Sequence, residues 1–254
     1  MSLHVHELGA PEGRTVLALH GVTGHGLRFR PLAAALPGLR WLCPDLRGHG
    51  RSPWAPSWGL EQHVADVLAV LDREGLAEAV VVGHSFGGAV AAHLARRAPE
   101  RVSRLVLLDP AIGLDPQDML EAAESTRPDE VFPDEDVARA DKAQSWKNVP
   151  DALLDAEIAD HLVPRGEEWA WRFCRAAVVA AWSEMARPAV VPPVGVRTLL
   201  LPAAQEDFVR PEWVAACRAE LGDAFTLTEI DAGHMLYLER TAEVADRVRA
   251  FLDG

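Results

Sequence analysis

Ser85 stands between two glycines in the segment VVVGHSFGGAV, residues 80–90. The run at 79–82 is continuously apolar and largely β-branched, as in a strand buried on both faces of a parallel sheet. The segment 86–98 has Ala, Val and Leu at helical spacing and ends before Pro99. A G-x-S-x-G pattern on such a strand-to-helix turn presents the serine Oγ at the sheet edge, beside the free N–H groups of a helix N-terminus. The pattern therefore predicts that Ser85 is a nucleophile, in preference to an N-cap flanked by packing glycines.

Strand-like and helical segments alternate along most of the chain, which is typical of a parallel sheet with helices on both faces. The predicted strands are 3–8, 15–20, 39–43, 79–82, 104–108, 196–201 and 225–230. The predicted helices outside the middle of the chain are 30–36, 60–74, 86–98, 211–221 and 239–252. The first two strands are expected to pair antiparallel through the turn GAPEGR.

The alternation stops between residues 110 and 193, where helical patterns and acidic loops replace the buried strands. One segment, EEWAWRFCRAAVVAAWSEMA at 167–186, is interpreted as a single apolar helix. We interpret the whole block, 111–193, as a helical cap over the carboxyl edge of the sheet, where ligands bind in such folds. The predicted α/β core then comprises 1–110 and 194–254.

Length and charge limit the classes of function. The chain has 254 residues, 49% of them hydrophobic and 25% charged, which suffices for one large α/β domain with an insertion. The net charge is −13, and residues 115–168 hold 16 of the 38 acidic residues but 5 of the 25 basic ones. This balance argues against nucleic acid and against anionic membrane surfaces as partners.

Targeting and metal signals are not visible in the sequence. No segment reaches the roughly 18 consecutive apolar residues of a membrane span, and no signal-peptide pattern precedes residue 13. The cysteines at 43, 174 and 217 have no C-x-x-C spacing and favour buried thiols over a disulfide or metal framework. We therefore expect a cytoplasmic protein that holds no metal and no cofactor.

The motifs resemble those of the α/β-hydrolase family along nearly the whole chain. The matching segments are LALHGVTGHG at 17–26, CPDLRGHGRS at 43–52, VVGHSFGG at 81–88, LLLPAAQEDFVRP at 199–211 and DAGHMLYLERTAEVADRVRAFL at 231–252. The resemblance implies the α/β-hydrolase fold, a mostly parallel sheet with helices on both faces, and makes the insertion the family's cap. The family's first strand has no counterpart before residue 3, so we expect about seven main strands.

The resemblance also assigns a catalytic triad in the order serine, acid, histidine. His234, in the loop DAGH after the last strand, stands at the family's position for the general base. The family often has G-x-x-D after its next-to-last strand, and AQED at 204–207 matches it with Ala in the Gly position, so Asp207 is the predicted acid. Asp109 and Glu206 remain alternatives, although Asp109 in LLDPA is more simply explained as a strand-end turn.

Stabilising a developing oxyanion needs fixed N–H donors in a shielded site. Phe86 directly follows the nucleophile and is expected to supply one backbone N–H. The resemblance points to Val22, in the loop HGVTGHG, as the other donor. His20 is expected to fix this loop by hydrogen bonding, while His84 and His49 are expected to have structural roles.

The resemblance implies a cofactor-free serine hydrolase that cleaves a carboxylic ester of modest size through an acyl-enzyme. A serine nucleophile disfavours the dehalogenase and epoxide-hydrolase branches, which use aspartate at that position. Lactones and the carbon–carbon bonds of diketones stay open as substrates of the same triad. From another class of function, a ligand-binding receptor with little turnover also stays open. The tryptophans of the insertion suit either an apolar substrate pocket or the packing of cap on sheet.

Overall fold

Nine strands occur in this computed structural model, which describes residues 2–254. They are β1 (Val5–Gly9), β2 (Arg14–Leu19), β3 (Leu39–Pro44), β4 (Ala79–His84), β5 (Val102–Leu108), β6 (Leu162–Arg165), β7 (Glu168–Trp171), β8 (Thr198–Leu201) and β9 (Phe225–Leu227). All except β6 and β7 form one sheet in the order β1-β3-β2-β4-β5-β8-β9, and β1 alone runs antiparallel to its neighbour. The predicted mostly parallel sheet of about seven strands is confirmed.

Ten α-helices accompany these strands within the described residues. They are α1 (Arg30–Ala35), α2 (Leu60–Arg73), α3 (Phe86–Arg97), α4 (Pro116–Thr126), α5 (Glu135–Ser145), α6 (Asp151–His161), α7 (Arg175–Met185), α8 (Pro211–Leu221), α9 (Leu236–Glu239) and α10 (Thr241–Asp253). Each element predicted outside residues 110–193 is present, with ends shifted by a few residues. None of the helices in the described chain combines the length and apolar character that a membrane crossing requires.

Helices cover both faces of the sheet, as the alternation along the chain predicts. In β2, Val16 and Ala18 pack in an apolar cluster with residues of α1 and α10. The residues between and after them, Leu17 and Leu19, pack in a second cluster with α2, α3 and α8. Because successive strand side chains point to opposite faces, a strand buried on both faces is apolar throughout, as the sequence of β2 is.

The pairing of the first two strands differs from the prediction. β1 pairs antiparallel with β3, from Val5 opposite Pro44 to Gly9 opposite Arg40, and β3 lies between β1 and β2. The predicted β1–β2 pair is therefore wrong. The reason is that β2 is a buried inner strand whose two edges are occupied by β3 and β4. The half-exposed β1 suits the edge of the sheet.

The interval between β5 and β8 contains α4 to α7 and a two-stranded hairpin. Residues 167–186, predicted as one helix, divide into strand β7 and helix α7. That prediction is wrong because Gly166, with φ of 70°, makes the tight turn between β6 and β7. The aromatic segment Glu168–Trp171 then continues as a strand, and Trp169 exchanges backbone hydrogen bonds with Phe132.

Candidate active site

Ser85 lies on the turn between β4 and α3 in a conformation that L-residues rarely adopt. Its φ is 53° and its ψ is −122°. The glycines around it have a steric cause, because a Cβ at Gly87 would lie 2.1 Å from the carbonyl oxygen of Leu19. A Cβ at Gly83 would lie 2.4 Å from the carbonyl oxygen of Gly87. The two glycines of the G-x-S-x-G pattern thus allow the backbone to approach closely at this turn, where Ser85 has a strained conformation.

Gly87→Ala is expected to destabilise the protein, because Leu19 belongs to a buried strand that cannot move away from the new methyl group. We expect the free energy of unfolding to fall by about 1–3 kcal/mol or more in a urea titration. Gly38→Ala is the matched control, since nothing lies within 4 Å of a Cβ at Gly38, and it should change stability by no more than about 0.5 kcal/mol. Equal stability of the two variants would contradict this account of the turn.

His234, which lies in the loop between β9 and α9, contacts a buried carboxylate. Its Nδ1 donates a hydrogen bond to Oδ2 of Asp109 at 2.6 Å. Asp109 directly follows β5 and is fully buried, and its Oδ1 accepts the N–H of Ala203 at 3.1 Å. A carboxylate at Nδ1 keeps the imidazole proton on that nitrogen and leaves Nε2 free to accept a proton.

Backbone contacts bring Ser85 to this pair. The N–H of Ser85 donates to the carbonyl of Leu108, the residue before Asp109, at 3.2 Å. His84, the residue before Ser85, donates from Nε2 to the carbonyl of His234 at 2.8 Å. These contacts place Ser85 near Asp109 and His234 where β4 and β5 end, at one edge of the sheet.

Asp207, the predicted acid, does not contact His234 in this structure, whose imidazole binds Asp109 instead. The Asp207 side chain is 93% exposed, and its carboxylate lies 3.7 Å from Nη1 of Arg210. The third candidate, Glu206, accepts the backbone N–H of His234 at 3.2 Å and does not bind the imidazole ring. Both β5 and β8 end at the same edge, but Asp109 is attached directly to its buried strand whereas Asp207 lies several residues beyond β8.

One sequence signal favours Asp109 over Asp207. Four apolar residues, LVLL, run directly into Asp109, so a carboxylate there starts from a buried strand end. Asp207 follows Gln205 and Glu206, which are polar neighbours typical of an exposed loop.

Two aromatic rings flank the imidazole of His234. The ring of Phe208 stacks on it at 4.3 Å between centroids, and the ring of His84 lies 4.6 Å away. Burial, together with the neighbouring His234, holds the pKa of His84 well below its ordinary value. His84 is therefore neutral and acts as a hydrogen-bond donor that holds the loop of His234, in keeping with the structural role predicted for it.

The loop after β2, which holds Val22, is fixed from the core by His20. Its Nδ1 donates to the carbonyl of Gly21 at 2.8 Å, and its Nε2 accepts the N–H of Leu46 at 2.8 Å. Burial and the nearby His49 lower the pKa of His20, and a neutral imidazole has the one donor and one acceptor that these bonds require. The predicted loop-fixing role of His20 is confirmed.

The N–H groups of Val22 and Phe86 have no backbone acceptor anywhere in residues 2–254. Phe86 is the first residue of α3, where helix geometry leaves the N–H unsatisfied and the helix dipole favours negative charge. Both groups can thus donate to an anion.

A second polar cluster lies at the sheet edge and was missed from the sequence. His4, His6 and Asp45 each offer a potential metal-ligating atom within 4.8 Å of the others. The sequence feature that could have indicated this cluster is the H-x-H pattern of residues 4–6. In the sheet, His6 lies opposite Cys43, two residues before Asp45. Although burial opposes it, hydrogen bonds from His6 and from the N–H groups of Arg51 and Gly26 hold the pKa of Asp45 below its usual range. These bonds explain the cluster as a hydrogen-bonded contact that connects Asp45 to His6, Gly26 and Arg51.

Comparisons with known proteins agree with this fold. A sequence model described as the alpha/beta hydrolase fold matches residues 14–148. Lipase LipV of Mycobacterium tuberculosis is 44% identical over 259 aligned positions, which cover 99% of this chain and 98% of the lipase. The sn-1-specific diacylglycerol lipase ABHD11 of Mus musculus is 28% identical, covering 93% of this chain and 80% of that protein.

Solved structures show the same architecture. E-2-(acetamidomethylene)succinate hydrolase superposes with a TM-score of 0.85 at 21% identity, covering 99% of this chain and 95% of that one. A marine microorganism esterase superposes with a TM-score of 0.77 at 21% identity, covering 98% and 99% of the two chains. At these identities the likeness concerns the fold.

Proposed function

Since this chain belongs to the α/β-hydrolase family and is a hydrolase, we propose that it is a cofactor-free serine carboxylesterase that works through an acyl-enzyme. The observation that carries the proposal is the 2.6 Å hydrogen bond between His234 and buried Asp109, held beside the strained turn of Ser85. Two relatives that align over most of this chain are named as lipases, which supports an ester as the substrate.

In the proposed reaction, Ser85 Oγ attacks the ester carbonyl while Nε2 of His234 takes the hydroxyl proton. Asp109 accepts the Nδ1–H of His234 and stabilises the imidazolium that forms. Collapse of the tetrahedral intermediate breaks the ester C–O bond, and the leaving alcohol receives the proton from Nε2. A water molecule, deprotonated by the same nitrogen, then attacks the acyl-enzyme and releases the acid and Ser85.

The N–H groups of Val22 and Phe86 are proposed to bind the oxyanion of both tetrahedral intermediates. Their lack of a backbone acceptor supports this role, and so does the position of Phe86 at the start of α3. Such donors act mainly in the transition state, because they are aimed at charge that the substrate does not yet carry.

The block 111–193 is proposed to act as a cap on the α/β core formed by 1–110 and 194–254. Contacts from α6 support this division, because His161 donates to the carbonyl of Thr23 in the loop after β2 at 3.1 Å. The insertion thus touches the loop that holds the proposed oxyanion donor Val22.

The test of the proposed function is hydrolysis of chromogenic short-chain esters by the purified protein, with matched thioesters, lactones and diketones run alongside. We expect the ester to have the largest kcat/KM and a fluorophosphonate to label Ser85. Labelling of Ser85 without turnover of any of these substrates would instead indicate a ligand-binding protein of the same fold. Preferential cleavage of the lactone or diketone would move the assignment to that bond type.

The acidic insertion leads to a prediction about substrate charge. Residues 115–168 carry a net charge of −11, so a neutral ester is expected to have a higher kcat/KM than a matched ester with a free carboxylate. The ratio should fall as salt is raised, because the Debye length shortens from about 30 Å at 0.01 M to about 8 Å at 0.15 M. A ratio that stays constant with salt would leave these carboxylates as a solvated surface, of which Arg139 with Asp151 and Asp155 is an exposed example.

A further inference from the structure

A buried ion-pair network joins α6 to the loop after β2, and the proposed reaction steps do not use it. Glu157 of α6 is 3% exposed, and Arg28 and His25 of the core are 6% and 4% exposed. Arg28 donates to both oxygens of Glu157, at 2.6 Å from Nη2 and 3.0 Å from Nε, and His25 Nε2 donates at 2.9 Å. Although burial opposes it, Arg28 and His25 hold the pKa of Glu157 well below its usual range, so the carboxylate is ionised.

The network ends on one carbonyl group, that of Thr23. Arg28 Nη2 donates to this oxygen at 3.0 Å, and His161 Nε2 donates to it at 3.1 Å. Thr23 has φ of 60°, so its backbone needs external support to stay in this conformation. Glu157 and His161 are four residues apart on α6 and thus project from one face of the helix toward the loop.

The Val22 N–H belongs to the turn that these contacts hold. It shares a peptide unit with the carbonyl of Gly21, which accepts from His20 at 2.8 Å and from the N–H of Gly24 at 3.0 Å. The core therefore fixes the first half of the turn through His20. The second half, at Thr23, is held by Arg28 and by His161, and Arg28 is oriented by its bonds to Glu157.

We propose that Glu157 is a positioning residue that sets the direction of the Val22 N–H through Arg28 and the Thr23 carbonyl. This inference rests on the proposed function, in which Val22 stabilises the oxyanion. Because Glu157 and His161 both come from α6, the oxyanion donor is correctly placed only while α6 is seated on the core. The insertion thus contributes to catalysis through a residue that touches neither substrate nor nucleophile.

The first test is kinetic and uses Glu157→Gln and His161→Phe. Each removes support from the Thr23 carbonyl, and kcat is expected to fall about 10- to 100-fold with KM changed less than about threefold. The inhibition constant of a trifluoromethyl ketone, which forms an oxyanion on Ser85, should rise in parallel with the loss of kcat/KM. Asp160→Asn is the matched control, because Asp160 lies on the same helix and binds Arg30 at 2.8 Å but does not reach the loop. Its kcat should stay within twofold of wild type.

A second variant guards against a simple folding defect. Glu157→Gln leaves the buried Arg28 without its counterion, whereas Arg28→Met/Glu157→Met replaces the pair by apolar side chains of similar length. The double variant is expected to keep a cooperative thermal transition and still lose kcat, because Thr23 has lost the Arg28 donor. A folded double variant with wild-type kcat would overturn the proposal, and so would an equal loss of kcat in Asp160→Asn.

Hydrogen exchange of peptides covering residues 20–28 provides a readout that needs no turnover. Deuterium uptake there should be faster in Glu157→Gln than in wild type and unchanged in Asp160→Asn. If the wild-type protein hydrolyses no ester, the proposed function fails while the exchange data still report on the coupling of α6 to the loop. Faster exchange combined with unchanged kcat would show that the network supports the fold alone, and unchanged exchange would show that Glu157 does not hold the turn.

Discussion

Ser85→Ala is expected to reduce kcat about 10⁴-fold or more while leaving the fold intact. The members of a triad act as a unit, so removal of the nucleophile abolishes the whole covalent route. On the transition-state scale this loss corresponds to about 5 kcal/mol. Alanine can occupy the position because the steric demands of the turn fall on the flanking glycines, which are unchanged.

The measurement is steady-state ester hydrolysis together with thermal unfolding. We expect the melting temperature of Ser85→Ala to stay within a few degrees of wild type, and fluorophosphonate labelling to disappear. Activity within tenfold of wild type in a folded Ser85→Ala protein would remove Ser85 from the role of nucleophile. The same assay on Ser52→Ala provides a control hydroxyl, since Ser52 is a buried serine that hydrogen-bonds the backbone of Asp45 and His4 away from the turn.

The fold was predictable because local patterns alone determine most of its elements. The strand predicted at 79–82 and the helix predicted at 86–98 are separated by a turn whose glycines leave few alternatives, and the structure has them at Ala79–His84 and Phe86–Arg97. The position of β1 was not predictable in this way, because the choice between β2 and β3 as its partner depends on contacts between distant segments. The hairpin β6–β7 was missed because its apolar and aromatic residues fit a buried helix as well as a strand.

The contact between Asp109 and His234 was not predicted, because whether Asp207 reaches His234 depends on the path of a loop. After β8, the N–H groups of Ala204 and Gln205 donate to the carbonyls of Ile230 and Ala232. These bonds hold the loop beside the segment that follows β9, and the Asp207 side chain beyond them is exposed to solvent. The segment AAQED has no feature from which this path can be predicted, whereas the position of Asp109 depends on no loop because Asp109 directly follows the buried strand β5.

The network around Glu157 could not be found from the sequence for a related reason. Residues 115–168 contain 16 acidic residues, and their composition predicts a solvated surface. The structure buries Glu157 among them and pairs it with Arg28, 129 positions away in the chain. Only the folded chain distinguishes this carboxylate from its exposed neighbours.

Asp109→Asn is expected to lower kcat by about 10⁴-fold through the wrong histidine tautomer. The N–H of Ala203 already donates to Oδ1 of Asp109, so the amide oxygen of an asparagine will keep that position. Its NH₂ group then faces Nδ1 of His234 and must donate to it. The imidazole proton moves to Nε2, and His234 can no longer accept the proton of Ser85.

Asp207→Asn is the matched control for this prediction, because it makes the same chemical change on the carboxylate that the sequence pattern favours. In the wild-type protein the Asp207 carboxylate is exposed and lies 3.7 Å from Arg210, so kcat of Asp207→Asn is expected to stay within about twofold of wild type. The two variants are compared by kcat and kcat/KM across the pH range, with thermal unfolding to show that Asp109→Asn remains folded. If Asp207→Asn lost the larger share of kcat, the loop after β8 would have to move during catalysis and the acid would be Asp207. If Asp109→Asn loses the larger share of kcat, the carboxylate that directly follows β5 orients the base, and Asp109 acts by controlling the tautomer of His234.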